Sequence, residues 1–460
     1  MLEVLGTLLL SFAGIFTASH NQAYTPEQIH AAWTEHTGEV SVMWSTQLPI
    51  HGSAAMYRAV TCSGHKVSEA WRTVEAEWTL FDQYSVLHWQ SLQTAILKDL
   101  ESRCFYEYKV GAGLYWSDTF QISGRTPDYS HTPPEISEKP ATLVVLGDMG
   151  IGNWSDASRA LLQDLSQTHQ YDGLFHLGDI AYDLQDSKGK VGDRFLRDIQ
   201  PIAGYSPYMV APGNHEKKQN FTHYKTRFRM PRHSASQNSN FFYSLDLGRA
   251  HIVVISTELY SSGDNNQVLS QQNWLREDLK QANGRRIQVP WIVVMGHKPT
   301  YCQIDWTKGM ESKKGFRSNN NCYKQSPEIR SFIEDILFEN AVDLYIGAHV
   351  HKYERNDVIY RNQTYPSERK TRNSVYNPSA PVHILTGIAG NDHGPNPLSP
   401  TPQLWNIVQN NMYGFGILRI PNDTHLIWEH YTSHTKALND YLTIEKSRPA
   451  YEPIKSLVAG

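Results

Sequence analysis

No stretch of this 460-residue chain is apolar for long enough to cross a bilayer: the longest, Leu5–Phe16, is little more than half of the roughly 20 residues that a spanning helix needs. A basic excess is missing as well. Lysine and arginine total 42 against 46 aspartates and glutamates, a formal charge of -4, which removes nucleic acid from the expected partners. None of the four cysteines, Cys62, Cys104, Cys302 and Cys322, belongs to a CxxC pair, so a zinc–thiolate site is not expected. Internal repeats and low-complexity tracts are also absent. The 12 tryptophans and 25 tyrosines spread along the chain argue against long disorder, and the length suits two or three domains at roughly 150 residues each.

The short apolar run fits an export signal instead. Residues 1–19 join it to the small residues Thr17, Ala18 and Ser19 of a cleavage site, although "MLEVLG" carries Glu3 and no Lys or Arg; the alternative is an ordinary buried first element. Three cysteine connectivities are formally open, and Cys62–Cys104 with Cys302–Cys322 closes the shortest loops. Sequons at Asn153, Asn220, Asn362 and Asn422 mark expected glycosylation positions. Asn153 follows "GDMG" so closely that a glycan there would crowd a site built on that motif. These features point to an oxidising compartment, secreted or lysosomal.

Residues 25–130 read as an all-β sandwich. In "EVSVMWST", Val40, Val42 and Trp44 share a face, and in "CFYEYKVG", Tyr106, Tyr108 and Val110 alternate with Glu107 and Lys109. Residues 123–140, rich in proline, serine and charge, read as a linker. Beyond Pro140, short apolar runs alternate with helix-period segments, which is α/β or α+β layering. Ser326 as N-cap, Pro327 at the first helical position, then Ile329, Phe332, Ile333, Ile336 and Leu337 predict one helix. Leu275 and Leu279 predict another from about Leu269 to Asn283, stopped by Asn283-Gly284.

Six apolar runs follow Pro140, and five end in a side chain able to bind a metal, where open α/β sheets place their ligands. The ends are Asp148 in "GDMG", Asp179 and Tyr182 in "GDIAY", Asn214 and His215 in "GNHE", His297 in "VVMGH", and His349 and His351 in "GAHVH"; "HIVVISTE" is the exception. Singly, each is ordinary. A strand-end Asp commonly caps a helix, a Tyr packs with its hydroxyl satisfied, and an H-x-H is commonly two surface histidines. Neither capping nor packing calls for carboxylate, phenol, carboxamide and imidazole at successive strand ends. Hard oxygen donors suit a trivalent ion, mixed oxygen and nitrogen donors suit a divalent transition metal, and two metals about 3.5 to 4 Å apart clamp a transferring phosphoryl group. Asp179 is the natural bridge. Gly147, Gly178, Gly213 and Gly347 let the backbone turn and approach a ligand closely.

These motifs, in this order, resemble those of the purple acid phosphatases of the calcineurin-like metallophosphoesterase superfamily, in the animal long form. The resemblance spans nearly the whole mature chain. It implies a fibronectin-III-like sandwich at 25–130, an α/β metallophosphoesterase domain at 140–400, a β-sandwich flanked by helices, and a C-terminal segment at 401–455, "MYGFGILRIPNDTHLIWEH" included, packing on the catalytic domain. Residue by residue, it implies that Asp148, Tyr182 and His351 bind Fe(III), that Asn214, His297 and His349 bind a divalent ion (Zn, Fe or Mn), and that Asp179 bridges them. His215 would stand beside the phosphate and the leaving group.

Two departures accompany the match. Ala348 occupies the place usually held by glycine before the first His of the last motif, a small-for-small change. Residues 302–322 contain none of the substrate-facing histidines that plant-type members carry there, which leaves His215 as the candidate for leaving-group protonation. Lys298, Lys314 and Arg317 are charge-based candidates for phosphate contact, and the solvated surface cation is the better reading of each. The implied reaction is hydrolysis of phosphate monoesters, small-molecule or phosphoprotein, by metal-bound hydroxide at acid pH. The rivals are a phosphodiester or pyrophosphate hydrolase using the same site, or a non-catalytic secreted glycoprotein, against which the complete ligand set counts. No membrane span is expected, and the oligomeric state is left open.

Overall fold

The computed structural model describes residues 22–62, 67, 70–82, 89–102, 104–126, 140–232, 240–303, 320–365 and 371–447, the side chains of 82, 89 and 320–324 excepted. The expected signal segment 1–19, most of the expected linker, and Lys314 and Arg317 lie outside them. No helix among the described residues is long and apolar enough to cross a membrane.

Where apolar residues alternate, the backbone is extended. The first part contains β1 (Glu27–Trp33), β2 (Val40–Thr46), β3 (Ala54–Cys62), β4 (Arg72–Glu75), β5 (Glu77–Asp82), β6 (Trp89–Leu97), β7 (Cys104–Ala112), β8 (Tyr115–Trp116) and β9 (Phe120–Ser123). One sheet has the order β1-β2-β6-β5, the other β4-β3-β7-β8 with β9 also on β7. Tyr106, Tyr108 and Val110 are buried and Glu107 and Lys109 only partly so, as the alternation predicts. In β2 the pattern is overridden, since Ser41 and Ser45 are as buried as Val42 and Trp44. The sheet has little free face because its β1 side packs on helix Lys190–Ala203 of the following part.

That contact is specific as well as apolar. The Ile29 amide donates to Gln200 Oε1 (3.0 Å), the Tyr108 hydroxyl donates to the Gly204 carbonyl (2.7 Å), and Trp33 packs on Gly173 and Phe175. The fully buried guanidinium of Arg227 pairs with Asp193 (2.8 Å), donates to Gln28 Oε1 (3.3 Å) and lies over Phe81. Cys62 and Cys104 are register partners on β3 and β7 and are disulfide-bonded. No described cysteine is a free thiol, and the side chain of Cys322, the expected partner of Cys302, lies outside the described residues.

The second part contains β10 (Ala141–Leu146), β11 (Gly173–Leu177), β12 (Tyr208–Ala211), β13 (Tyr243–Leu247), β14 (Ala250–Ile255), β15 (Trp291–Gly296), β16 (Leu344–Gly347), β17 (Tyr353–Tyr360), β18 (Gln363–Thr364), β19 (Ser374–Tyr376), β20 (Val382–Thr386), β21 (Asn406–Asn410), β22 (Gly414–Ile420), β23 (His425–Thr432) and β24 (Leu438–Glu445). They form two sheets, β12-β11-β10-β22-β23-β24-β19 and β13-β14-β15-β16-β20-β17-β18, with β21 on β17. The sheets share one buried core, and Trp428 Nε1 donates to the Tyr353 hydroxyl between them (3.0 Å). The strands from the six apolar runs are buried at every position, and β10–β12 and β14–β16 run parallel. Parallel pairing brings their C-terminal ends together.

Both predicted helices exist with shifted ends. One spans Asn265–Gly284, capped by Asp264, whose side chain accepts from the amides of Asn266 and Gln267. The other spans Asn320–Glu339, so Pro327 lies inside it rather than at its first position. Ser326 is not its cap because the helix already begins at Asn320, and the Ser326 hydroxyl donates instead to the Pro299 carbonyl (2.9 Å). Ile329, Ile333, Ile336 and Leu337 form the buried stripe.

One buried charge cluster makes fold stability depend on pH. His251 on β14 lies between Asp246 of its register partner β13 (2.7 Å) and Asp278 of helix Asn265–Gly284 (2.9 Å), and Arg285 also pairs with Asp246. Burial opposes the imidazolium, but Asp278 and Asp246 outweigh it and hold His251 up at about 9. Burial likewise opposes the Asp246 carboxylate, yet His251 and Arg285 hold it down at about 2. The His251 contribution is therefore complete below its ordinary value of 6.5 and lost as pH rises towards 9. The Asp246 contribution is complete above 3.8 and lost as pH falls towards 2. Asp278→Asn should lower stability by roughly 3 kcal/mol or more near pH 6, and by less near pH 9. Urea unfolding of both proteins at the two pH values measures this, and a pH-independent difference would contradict it.

Candidate metal centre

Each of the five strand ends delivers its predicted side chain to one place. β10 is followed by Asp148, β11 by Asp179 and, in the next turn, Tyr182, β12 by Asn214 and His215, β15 by His297, and β16 by His349 and His351. Asp148, Asp179, Tyr182 and His349 have φ of +59°, +49°, +53° and +72°, a region that costs non-glycine residues energy and concentrates at functional sites. The strand ends press together: a Cβ on Gly178 would lie 2.6 Å from the Gly213 nitrogen, and one on Gly213 would lie 2.3 Å from Asp179 Oδ1. Ala348 is accommodated by the glycine opposite, since a Cβ on Gly147 would meet the Ala348 methyl at 2.3 Å.

The polar atoms fall into two adjoining groups. In the first, His297 Nε2 lies 3.3 Å from Asp179 Oδ2, 3.2 Å from Asn214 Oδ1 and 3.1 Å from His349 Nδ1. Asp179, His297 and His349 are buried, with one donor atom from each within 4.8 Å of the others. In the second, the Tyr182 hydroxyl lies 3.2 Å from Asp148 Oδ1 and 3.0 Å from His351 Nε2, which is itself 3.4 Å from the same oxygen. The His349 amide, donating to Asp148 Oδ2 (2.7 Å), ties the groups together. Leu177 offers its carbonyl to His297 Nδ1 (2.7 Å), leaving Nε2 to face the cluster, the usual way a ligand imidazole is oriented. His349 Nε2 is buried with no hydrogen-bond partner among the described residues. Close-packed oxygen and nitrogen donors from carboxylate, carboxamide, phenol and imidazole fit a cation.

The electrostatics show how strongly the cluster draws positive charge: burial opposes the His297 imidazolium, but Asp179 outweighs it and raises His297 to about 10. Burial opposes ionisation of Asp179, but His297, His215 and His349 hold its carboxyl well below the usual carboxylate range. Burial and then His297 push the His349 imidazole down, towards the neutral form that metals bind. The Tyr182 phenol is driven far up by burial, Asp148 and Asp179, so only a strong cation would ionise it.

His215 stands at the edge, its side chain 27% exposed, with its ring over Tyr182 (4.7 Å) and Nδ1 3.4 Å from Asp183. Its amide donates to Asp179 Oδ1 (2.9 Å). The solvated reading of Lys298 is corrected: it is buried, and its Nζ donates to Glu258 (3.0 Å) and Ser261 (3.3 Å). The ionic partner comes from the run that ended without a ligand, "HIVVISTE", and a sequence does not reveal such a long-range pair. Glu216 was also missed. Its buried carboxylate accepts from the amides of Asp179 (2.9 Å), Ile180 (2.9 Å) and Gly213 (2.8 Å), pinning two ligand loops at once. Its place beside His215 in "GNHE" was the available signal. Asn153, Asn220, Asn362 and Asn422 are exposed.

The chain is similar to known proteins over most of its length. Residues 26–123 match the family description "Purple acid Phosphatase, N-terminal domain", 141–353 "Calcineurin-like phosphoesterase", and 380–441 "Iron/zinc purple acid phosphatase-like protein C". The chain is 34% identical over 425 residues to acid phosphatase type 7 of Homo sapiens, covering 91% of this chain and 90% of that one. It is 28% identical to purple acid phosphatase 18 of Arabidopsis thaliana, over 75% of this chain and 69% of that one. In fold it is similar to purple acid phosphatase PPD1 of yellow lupin, with a TM-score of 0.73 at 21% identity, covering 92% of this chain and 75% of that chain.

Glu216→Gln tests the pinning role, because an amide replaces one acceptor oxygen with a donor that faces the backbone N–H groups. The variant should fold and bind metal ions roughly 10- to 100-fold more weakly. Metal titration followed by calorimetry reads this, and unchanged affinity would show that the two loops keep their shape without Glu216.

Proposed function

The chain belongs to the purple acid phosphatase family, and from that membership we propose a phosphatase that hydrolyses phosphate monoesters with one Fe(III) and one divalent ion. Asp148, Tyr182 and His351 would hold the iron, Asn214, His297 and His349 the divalent ion (Zn, Fe or Mn), and Asp179 would reach both. The observation that carries the reading is the pair of adjoining donor groups, tied through the His349 amide and Asp148. When bound, the metal pair supplies Lewis acidity and activates water.

The remaining work falls to the chain. Asp179 and Asp148 offset positive charge in a buried site that could not otherwise tolerate it. Asp183 orients the His215 imidazole, which stands where its N–H can meet a phosphoryl oxygen or a leaving alkoxide. Glu216 and Glu258 hold the loops from beneath. The substrates are phosphorylated small molecules or proteins. Export to an oxidising compartment, secreted or lysosomal, is supported by the Cys62–Cys104 disulfide and by four sequon asparagines exposed to solvent, and 1–19 would be the signal.

Purified protein should contain about two metal ions per chain, one of them iron, and hydrolyse an aryl phosphate faster near pH 5 than near pH 8. Elemental analysis without iron, or an alkaline optimum in metallated protein, would sink the proposal. Tyr182→Phe should keep some iron while losing the visible absorption of an iron phenolate, because the ring no longer offers an ionisable oxygen; a surviving band would refute the Tyr182 assignment. His215→Ala should keep both metals and lose about 10² or more in turnover, most clearly on esters with poor leaving groups.

A further inference from the structure

A sixth strand end reaches the same place. β20 leads into "GIAGNDHGPNP", where a Cβ on Gly387 would lie 2.8 Å from Asp148 Oδ2 and the Ala389 amide donates to the Gly147 carbonyl (3.1 Å). The loop is built onto the ligand-bearing loops at several points. Asn396 accepts from the His351 amide through Oδ1 (2.6 Å), and its own amide donates to the His351 carbonyl (2.7 Å). Asn391 is fully buried, its carbonyl accepts from the Tyr413 hydroxyl (3.0 Å), and its Oδ1 accepts from the His393 amide (3.1 Å). Gly390 abuts Ser155, and Gly152 abuts Asp392. The backbone at His393 is therefore held from both sides.

The His393 side chain is exposed, yet its ring faces the site. Its centroid lies 5.1 Å from that of Tyr182, edge to face, 6.0 Å from His215 and 6.1 Å from His351, parallel to the latter within 4°. Tyr182 thus has His215, His351 and His393 around one ring. A histidine in a glycine- and proline-rich loop is commonly a solvated surface residue. Such a residue does not need three ring partners at the rim of a donor cluster or a loop fastened to a candidate ligand on both sides.

We propose that His393 contacts the substrate, donating a hydrogen bond from its imidazole to an oxygen of the phosphate ester across the site mouth from His215. Neutral imidazole keeps one N–H donor and the cation has two, so the contact does not depend on the ring's charge. This rests on the phosphatase reading above. A hydrogen bond to a charged oxygen supports an effect of about tenfold or more in binding.

The test uses the metal-loaded full chain and the variants His393→Ala and His393→Asn, the second keeping an N–H donor. For His393→Ala, KM for nitrophenyl phosphate and the dissociation constant of inorganic phosphate by calorimetry should both rise about tenfold. Metal content and the visible band should match wild type, and His393→Asn should recover part of the loss. Unchanged KM and phosphate affinity in His393→Ala would overturn the inference, and so would loss of metal from it, which would make His393 a support for His351. Wild type that binds metal and phosphate without turnover would sink the phosphatase reading alone, and calorimetry would still decide His393.

Discussion

Buried negative charge is the constraint on which the site is built. Asp148, Asp179, Glu216 and Glu258 are all at most 2% exposed, in a part of the molecule where an uncompensated carboxylate would cost several kcal/mol, and burial with Asp179 nearby pushes Glu216 up to about 8 despite its amide partners. Each is answered by a specific partner. Glu258 has Lys298, Glu216 has three backbone amides, Asp148 has the His349 amide, and Asp179 has His297 and the His215 amide. Two partners are themselves candidate metal ligands, so the proposed cations would complete a balance that the backbone has begun. Left-handed residues at four of the ligand positions are the conformational side of that design.

Such a site needs a rigid frame, and the frame extends beyond the two catalytic sheets. Helix Lys190–Ala203 begins shortly after the loop that carries Tyr182 and Asp183, and it packs on β1 of the N-terminal sandwich. Arg227, which follows the Asn214 loop within one short helix, is buried against Gln28 and Phe81 of that sandwich. The first domain therefore braces the segments that follow β11 and β12. The C-terminal strands do the same from the other side, since β22 pairs directly with β10, whose end carries Asp148.

Much of this was legible because it is local. Short, uniformly apolar runs are what a buried parallel strand requires, and a ligand must sit where such a strand ends, so "GDMG", "GDIAY", "GNHE", "VVMGH" and "GAHVH" could be read as strand ends with chemistry attached. Residue pairing across the chain has no such signature. Lys298 looked like a solvated cation because Glu258 lies 40 residues away. Ser326 looked like a cap because its acceptor, the Pro299 carbonyl, is distant in sequence. His393 was passed over because its loop is glycine- and proline-rich and the ring contacts that set it apart come from three other loops.

By itself the sequence determined the sandwich strands, the parallel-strand runs and the seven side chains proposed as metal ligands, since period, turn glycine and donor type are properties of a few consecutive residues. Tertiary structure alone decided which donors meet, which carboxylate pins which loop, and which exposed histidine faces the site. Those outcomes follow from the order of strands in two sheets and from the need to satisfy every buried charge, and both are properties of the whole fold rather than of any segment.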